Sequence, residues 1–435
     1  MNAEAQSTQA QSATQPTAHA SAHTSLWRNT QYRRWFTADT AAAMGTAMKS
    51  FAISLVAFSL TQSLALSGWL GTATMCASQV AGIFGGTVVD RHDRRTLIII
   101  NALCGLALWG LAFVLLALNL LNFAAFAVIT ITASTVNGLF AEATNAMLRS
   151  IIPTEQYPKA QSLNQGRDSV ISLAGSPLGG VLYAFAPWLP FAVASLMYVV
   201  SGASAARLAD TGSGEYGDNG EPSAPHGSFL ADFVAGWRWT LRRRTLLTLT
   251  TIAALVNLGI NGIFSTVNLH LVGTHVDSVR IGLVETAMGA GMLAGALIAA
   301  KVADRMPLGT GMVVVSTVAL ATLAPMLFSD GYAVVLVCAL LVSVPIPIVN
   351  SLIMGFVFAK VPSDMQGRAG SALGLMCMLP ALFCSAIAGS LLPIAGFGAT
   401  IGLFLAVLAV NVAIVLAKPT VRSLPAANRW DEVTL

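Results

Sequence analysis

The chain has 435 residues, of which 55% are hydrophobic and 10% are charged, and its formal net charge is +4. Soluble domains carry charge on about a quarter of their residues, so this composition excludes a soluble globular protein and indicates an integral membrane protein. So small a net charge gives no reason to expect nucleic acid as a partner.

Residues 1–34 are predicted to form a disordered cytoplasmic tail. Residues 1–26 are rich in Gln, Ser, Thr and Ala and contain no aromatic side chain. Such a segment cannot bury enough apolar surface to offset the entropy of ordering it. It also lacks the apolar core of a signal peptide.

Apolar segments long enough to cross a membrane follow this tail. A transmembrane helix needs about 20 mainly apolar residues. They predict an all-α integral membrane protein with twelve transmembrane helices in two six-helix bundles, residues 35–206 and 246–417. The twelve segments are 35–60, 65–89, 96–118, 123–148, 168–186, 188–206, 246–271, 281–300, 310–328, 332–358, 370–394 and 397–417.

The segment between the bundles, residues 207–245, is predicted to be a cytoplasmic linker. Its first part, 207–228, is rich in Gly, Ser, Pro and acidic residues, which is typical of a flexible chain. Its second part, 229–244, mixes aromatic and basic residues and predicts an amphipathic helix on the inner membrane surface. Residues 418–435 are predicted to be a second cytoplasmic tail.

The distribution of basic residues predicts the orientation in the membrane. With the N-terminus in the cytoplasm, all of the 23 Lys and Arg residues except Lys49 and Arg280 fall on the cytoplasmic side. Because basic residues concentrate in cytoplasmic loops, both termini are predicted to lie inside.

The two bundles carry a weak sequence repeat. Residues 152–162 (IPTEQYPKAQS) follow the fourth segment and align with residues 361–371 (VPSDMQGRAGS), which follow the tenth. An Asp-Arg pair at 90–91 after the second segment has its counterpart at 304–305 after the eighth. Two landmarks in the same order predict similar bundles related by an axis normal to the membrane.

The stretch from Gly86 to Arg95, GTVVDRHDRR, resembles the signature loop of the major facilitator superfamily, although Asp93 stands where that family usually has glycine. Four stretches are similar to the macrolide-efflux and enterobactin-exporter branch: VVDRHDRRTLII, FVAGWRWTLRR, ETAMGAGMLAGAL and VPSDMQGRAGSALGLM. The resemblance implies an exporter of the bacterial inner membrane. It also implies a gate that holds the cytoplasmic ends of the bundles together, with Gly86, Asp90, Arg91, Arg94, Arg95, Asp304 and Arg305 as its candidate residues.

Residues 176–180, SPLGG, resemble a motif in the fifth helix of proton-coupled antiporters, with Ser176 in place of the motif's glycine. Two interpretations stay open. The motif can support antiport, or Gly175 and Gly179 can let two helices approach closely.

Ionisable side chains within apolar helices are candidates for function, because a charge there costs free energy and usually faces a cavity or a partner. Lys49 lies about 14 residues into the first helix, roughly 21 Å along it, and is a candidate for binding an anionic substrate. It can equally reach the outer interface. Glu142 and Asp39 are candidates for proton coupling. Glu142 can instead be a structural acid paired with Lys49 or Arg149, and Asp39 can be a residue of the inner interface. Glu285 lies near the outer end of the eighth helix and can pair with Arg280, although their spacing suits a helical ion pair poorly.

Amide side chains complete the candidate substrate site. Asn137 lies in the fourth helix, Asn257 and Asn261 share one face of the seventh, and Asn350 lies in the tenth. Such amides can hydrogen-bond a polar ligand or hold two helices together.

An enzyme is not expected. The chain has no phosphate-binding ATP motif and no nucleophile motif, and its five cysteines have no metal-ligand spacing. No cofactor or metal is therefore expected. The hypothesis is a monomeric transporter in the lipid bilayer that exports a small amphipathic molecule (a drug, siderophore or secondary metabolite) in exchange for protons. The alternatives are an uptake symporter for a small organic acid, a lipid flippase, and a receptor or scaffold that transports nothing.

Overall fold

A computed structural model describes residues 26–153, 156–209, 237–302, 305–361, 366–426 and 429–430. Residues 1–25 of the predicted N-terminal tail, most of the linker and Asp304 lie outside these residues. The rest of the predicted tail is ordered, because Leu26–Arg28 form a 3-10 turn and the first long helix begins at Thr30. Leu26 and Tyr32 are buried, so the prediction of disorder was wrong for this part. Every regular element within the described part of the chain is a helix, so the all-α prediction is confirmed.

The first half contains six helices, each of which overlaps one of the predicted apolar segments, although the first begins at Thr30 instead of 35 and the fifth at Tyr157 instead of 168. Four of them begin at a polar residue whose side chain accepts hydrogen bonds from the free backbone amides of the first turn, namely Asn29, Ser63, Asp93 and Asn122. The helices are α1 (Thr30–Thr61), α2 (Leu64–Arg91), α3 (Arg94–Ala117), α4 (Phe123–Ile151), α5 (Tyr157–Phe185) and α6 (Leu189–Ala205).

The second half is more broken than the first. Its helices are α7 (Arg244–Gly273), α8 (Ser278–Val302), α9 (Leu308–Leu323), α10 (Tyr332–Ser343), α11 (Pro345–Lys360), α12 (Gln366–Met378), α13 (Cys384–Ala417) and the short α14 (Pro419–Arg422). The predicted tenth segment divides at Pro345, which has no amide hydrogen to continue the helix. The predicted eleventh is interrupted by a 3-10 turn at Pro380–Phe383. Gly396 breaks α13 with a left-handed φ of 79°, a conformation that favours glycine.

Eight segments of the described residues are long and apolar enough to cross a membrane. Helix α6 is apolar but has only 17 residues, and α2 and α5 are not among the eight. One of the eight, Ala372–Ala417, has 46 residues, roughly twice the length that one crossing needs, and contains the break at Gly396. Twelve crossings therefore remain a prediction.

Small residues let α2 and α4 pack backbone against backbone. A methyl group at Gly138 would lie 2.2 Å from the carbonyl oxygen of Ser78, and one at Gly85 would lie 2.7 Å from that of Leu139. Because a backbone atom cannot rotate away as a side chain can, a larger residue forces the helices apart.

Replacing Gly138 by alanine should therefore destabilise the first half by about 1–3 kcal/mol, in spite of the better helix propensity of alanine. The measurement is the Tm of the purified protein in detergent. Gly166→Ala is the matched control, because a methyl group at Gly166 meets nothing within 4 Å. An equal Tm for the two variants would contradict this packing.

The C-terminal segment is packed, although the sequence predicts a tail from residue 418. Val421, Leu424 and Trp430 are buried. The Trp430 ring lies 5.8 Å from that of Phe356 on α11. The amides of residues 308 and 309 donate to the carbonyl oxygens of residues 425 and 424, each at 3.2 Å. The segment thus caps the first turn of α9 and covers the core of the second half.

Candidate functional site

Hydrogen bonds join the two halves near the ends of α1, α5 and α7. They connect α5 with α8 and α2 with the first turn of α13. They use the C-terminal half of α5 and the N-terminal halves of α2 and α8, and so lie toward the side of the molecule opposite to the start of α1. The bonds run from Ser278 Oγ to the Gly180 carbonyl (2.7 Å), from Thr286 Oγ1 to the Leu173 carbonyl (3.3 Å), from the Ala386 amide to Thr72 Oγ1 (3.0 Å), and from Ser176 Oγ to the Glu285 carboxylate.

Glycines make the approach at this closed end possible. A methyl group at Gly68 on α2 would lie 2.2 Å from the carbonyl oxygen of Ser385 on the first turn of α13. On α5, a methyl group at Gly180 would lie 2.6 Å from the carbonyl oxygen of Ser278, and one at Gly179 would lie 2.7 Å from that of Met48. The glycines of SPLGG therefore act in helix packing, both against α1 and across the halves.

A cavity of about 510 Å³ lies between the halves. Its walls come from α1, α2, α3 and α4 of the first half and from α7, α8 and the first turn of α13 of the second. Three candidate substrate residues, Lys49, Asn137 and Asn261, line it, together with Asn268 and Glu285. Serine and threonine hydroxyls and aromatic rings complete a surface that is partly polar and partly apolar.

Lys49 is held at the cavity wall by aromatic rings. Its side chain is only 6% exposed, and Nζ lies 4.5 Å from the centre of the Trp109 ring and 5.9 Å from that of Tyr198. Such cation–π contacts stabilise a charge that water does not fully solvate. Within the described residues, Lys49 forms no ion pair with a carboxylate. Its charge is thus available to a ligand in the cavity.

Glu285 is a cavity residue that the sequence did not single out as part of a site. It lines the central cavity and a second cavity of about 300 Å³, and it accepts a hydrogen bond from Ser176 of the other half. The pair expected with Arg280 is not formed, because Arg280 Nε lies 3.8 Å from Asp277 instead. Spacing along α8 could not reveal the partner of Glu285, because that partner lies on α5.

Three other candidate residues lie away from the residues that line the cavity. The Glu142 side chain is exposed and accepts a hydrogen bond from Asn145 Nδ2 at 3.3 Å. Asn257 donates to the carbonyl of Ala253 at 3.0 Å, one turn earlier on its own helix. Asn350 is exposed on α11. Of the two amides expected on one face of α7, only Asn261 lines the cavity.

Asp39 is ion-paired within the first half. Its carboxylate lies 2.5 Å from Arg167 Nη1 on α5, and Arg167 also contacts Asp168 at 2.7 Å. The Arg167 side chain is only 10% exposed, and it packs over the ring of Phe36 at 5.4 Å. The pair ties α1 to α5.

Replacing Asp39 by asparagine should destabilise the protein by about 1–3 kcal/mol, because it leaves a largely buried guanidinium with a weaker partner. Asp168→Asn is the control, since the Asp168 side chain is 51% exposed and its pair with Arg167 is solvated. The measurement is the Tm of both variants. Adding Arg167→Gln to Asp39→Asn should recover part of the lost stability. An Asp39→Asn variant as stable as Asp168→Asn would mean that the ion pair of Asp39 with Arg167 does not stabilise the protein.

The signature-like loop is tied to the first half. Arg94 Nη1 donates to the carbonyl of Ala146 at 3.2 Å, and Arg95 Nη2 donates to that of Ala206 at 2.5 Å. Asp93 caps α3. Burial raises the pKa of Asp93, but hydrogen bonds from the Thr96 hydroxyl and amide outweigh that effect, so its pKa is lowered overall. This capping gives Asp93 a structural role at the position where the loop that it resembles usually has glycine.

Of the other gate candidates, Arg91 and Arg305 are exposed, and a methyl group at Gly86 would meet nothing within 4 Å. The Asp90 side chain and Asp304 lie outside the described part of the structure. A contact of this loop with the second half therefore remains a prediction.

Comparisons with known proteins agree with this architecture. A family model described as Major Facilitator Superfamily matches residues 36–385. Among solved structures, a mutant of the nucleoside transporter NupG superposes with a TM-score of 0.65 at 11% identity, covering 88% of this chain and 99% of that chain. A bacterial homologue of the iron transporter ferroportin, in an inward-facing state, superposes with a TM-score of 0.65 at 16% identity, covering 91% and 99%. No curated protein sequence matches the chain. At these identities the two structures show a shared fold.

Proposed function

The chain belongs to the Major Facilitator Superfamily of membrane transporters, and we propose that it is a proton-coupled exporter of a small amphipathic organic compound. The central cavity carries the proposal. Its volume of about 510 Å³ falls within the usual range for small-molecule sites. Lys49 and the amides of Asn137 and Asn261 offer polar contacts, while Trp109 and Phe264 offer apolar ones, which suits a ligand with both kinds of surface.

The contacts between the halves support alternating access. With the N-terminus inside, as the basic residues predict, the end closed by α2, α5, α8 and α13 faces outward. At the opposite end, methyl groups at Gly86, Gly166, Gly370 and Gly374 would meet nothing within 4 Å. We take this arrangement as an inward-facing state, from which the halves rock to expose the cavity outside.

Export, and a macrolide-like or siderophore-like cargo, rest on the resemblance to the exporter branch. Twelve crossings, the bacterial inner membrane and a monomeric state belong to the same proposal. Proton coupling rests on the acidic side chains within the helices, of which Glu142 and Asp39 are the candidates from the sequence. Lys49 favours a cargo that bears an acid, and an uptake symporter for a small organic acid is the alternative.

Inverted vesicles that contain the protein test the proposal. Erythromycin and a catecholate siderophore are the probes, each offered outside the vesicles with the interior acidified. An exporter accumulates at least one of them, and a protonophore abolishes the accumulation. Movement of neither probe would contradict the proposed cargo. Accumulation that persists with the protonophore would contradict proton coupling.

A further inference from the structure

Glu285 belongs to two cavities and to one hydrogen bond between the halves. It lines the central cavity, it lines the second cavity of about 300 Å³, and its carboxylate accepts a hydrogen bond from Ser176 on the other half. Among the described residues that line the central cavity, it is the only acidic side chain. Phe264 and Asn268 are shared by both cavities, so the carboxylate lies at the junction between them.

The other acidic candidates lack this position. Asp39 is paired with Arg167 inside the first half, and Glu142 accepts a hydrogen bond from Asn145 on its own helix. In neither case does the described partner belong to the second half. A change of charge at these residues has no direct path to the contact between the halves, whereas a change at Glu285 acts on it through one hydrogen bond.

The contact that Glu285 joins is the one that closes the outer end. Ser278 Oγ and Thr286 Oγ1 flank Glu285 on α8 and donate to backbone carbonyls of α5. Gly282, one turn before Thr286, lets the two backbones approach, because a methyl group there would lie 2.8 Å from the Ser176 carbonyl. The bond between Ser176 and Glu285 thus lies in the middle of the α5–α8 contact.

We propose that Glu285 is the proton-binding group that controls closure of the outer end, through its hydrogen bond with Ser176. A hydroxyl donates more strongly to a carboxylate than to a neutral carboxyl group. Ionised Glu285 therefore holds α5 against α8, and a proton that reaches it through the cavity weakens the contact and favours the outward-open state. This inference rests on the proposed function, because it assigns a coupling group to the proposed transporter.

Other charged groups near this contact are already engaged or lie toward its edges. Lys49 lies on the wall of the same cavity, over Trp109. The other described ionisable residues on α5, α7, α8, α10 and α11 are Tyr157 and Lys159 at the start of α5; Arg167 and Asp168 on α5, paired with each other; Tyr183 near the end of α5; Arg244 at the start of α7; His270 on α7, paired with Asp330; Arg280 in the first turn of α8, paired with Asp277; Lys301 at the end of α8; Tyr332 on α10, which donates to the Arg280 carbonyl; Cys338 on α10; and Lys360 at the end of α11. His275 and Asp277 lie in the turn between α7 and α8.

The test measures the opening of the outer end without any substrate. Spin labels are attached at Phe185→Cys and Phe328→Cys, two exposed positions in the first and second halves, in full-length protein whose five native cysteines are replaced by alanine. Double electron–electron resonance then gives the distance distribution in lipid nanodiscs at about pH 8 and about pH 4.5, close to the reference pKa of glutamate.

On acidification, the ratio of molecules with the longer distance between the two labels to molecules with the shorter distance should rise about fivefold. Glu285→Gln should show the larger open population at both pH values, and Ser176→Ala should lose most of the pH response. Asp277→Asn, which neutralises a carboxylate outside the central cavity, should keep the full response. A Glu285→Gln variant that responds to pH like the parent protein, or a parent protein that does not respond, would overturn the inference. Because no transport is measured, either result leaves the vesicle experiment to decide the proposed function separately.

Discussion

Replacing Gly68 by alanine is expected to slow transport by about fivefold or more. The added methyl group would lie 2.2 Å from the carbonyl oxygen of Ser385 and 3.1 Å from Cα of Gly389. Both are backbone atoms, so the conflict is relieved only if α2 and α13 separate. The methyl group raises the free energy of the outward-closed state by about 1–3 kcal/mol and leaves that of the outward-open state unchanged. The equilibrium between these two states therefore shifts toward the open one by that amount. Transport must pass through the closed state in every cycle, so the rate falls.

The initial rate of substrate accumulation in vesicles measures this effect, with Gly166→Ala as the control in open space. Tm separates a shifted equilibrium from simple unfolding, since the Gly68→Ala variant should keep two folded halves. A Gly68→Ala rate within twofold of the control would mean that this contact is not needed for the cycle.

Replacing Lys49 by methionine is expected to weaken the binding of an anionic ligand by about tenfold or more, since hydrogen bonds to charged groups contribute about 1.5–3 kcal/mol. Methionine has a similar length and apolar stem, so the packing against Trp109 is largely kept. The ammonium is lost, and with it the only basic side chain among the described residues that line the cavity.

Calorimetric titration of the purified protein with a catecholate siderophore and with an uncharged analogue measures the loss. The Kd for the anion should rise, and that for the neutral analogue should change by less than about twofold. Lys301→Met is the control, because Lys301 is exposed at the end of α8 and outside the cavity. Equal weakening of both ligands would assign Lys49 a structural role.

Much of the fold could be predicted because a membrane helix is recognisable from its own local sequence. A run of about 20 apolar residues is visible in any window. The breaks at Pro345 and Pro380 divide two of these runs, and both occur at residues that lack the amide hydrogen of a regular helix. The depth of Lys49 follows from simple counting along α1. Its contact with Trp109 and its place on the cavity wall do not, because they depend on how α1 packs against α3.

What the sequence missed depends on contacts between distant segments. Glu285 gains its importance from Ser176, 109 residues away. Asn257 and Asn261 share a helix face in projection, yet only Asn261 lines the cavity. The C-terminal segment has too few apolar residues for a periodic pattern, so burial of Val421 and Trp430 against the second half was not foreseen.

The most direct test of alternating access is the accessibility of a single cysteine in the cavity. Ser134 on α4 lines the cavity, and Ser134→Cys is introduced into protein whose five native cysteines are replaced by alanine. A membrane-impermeant thiol reagent is then applied to one face of the membrane at a time. We expect modification from the face that carries the N-terminus, and a shift toward the opposite face when Gly68→Ala is added. Equal modification from both faces, unchanged by Gly68→Ala, would indicate an open channel and contradict the account.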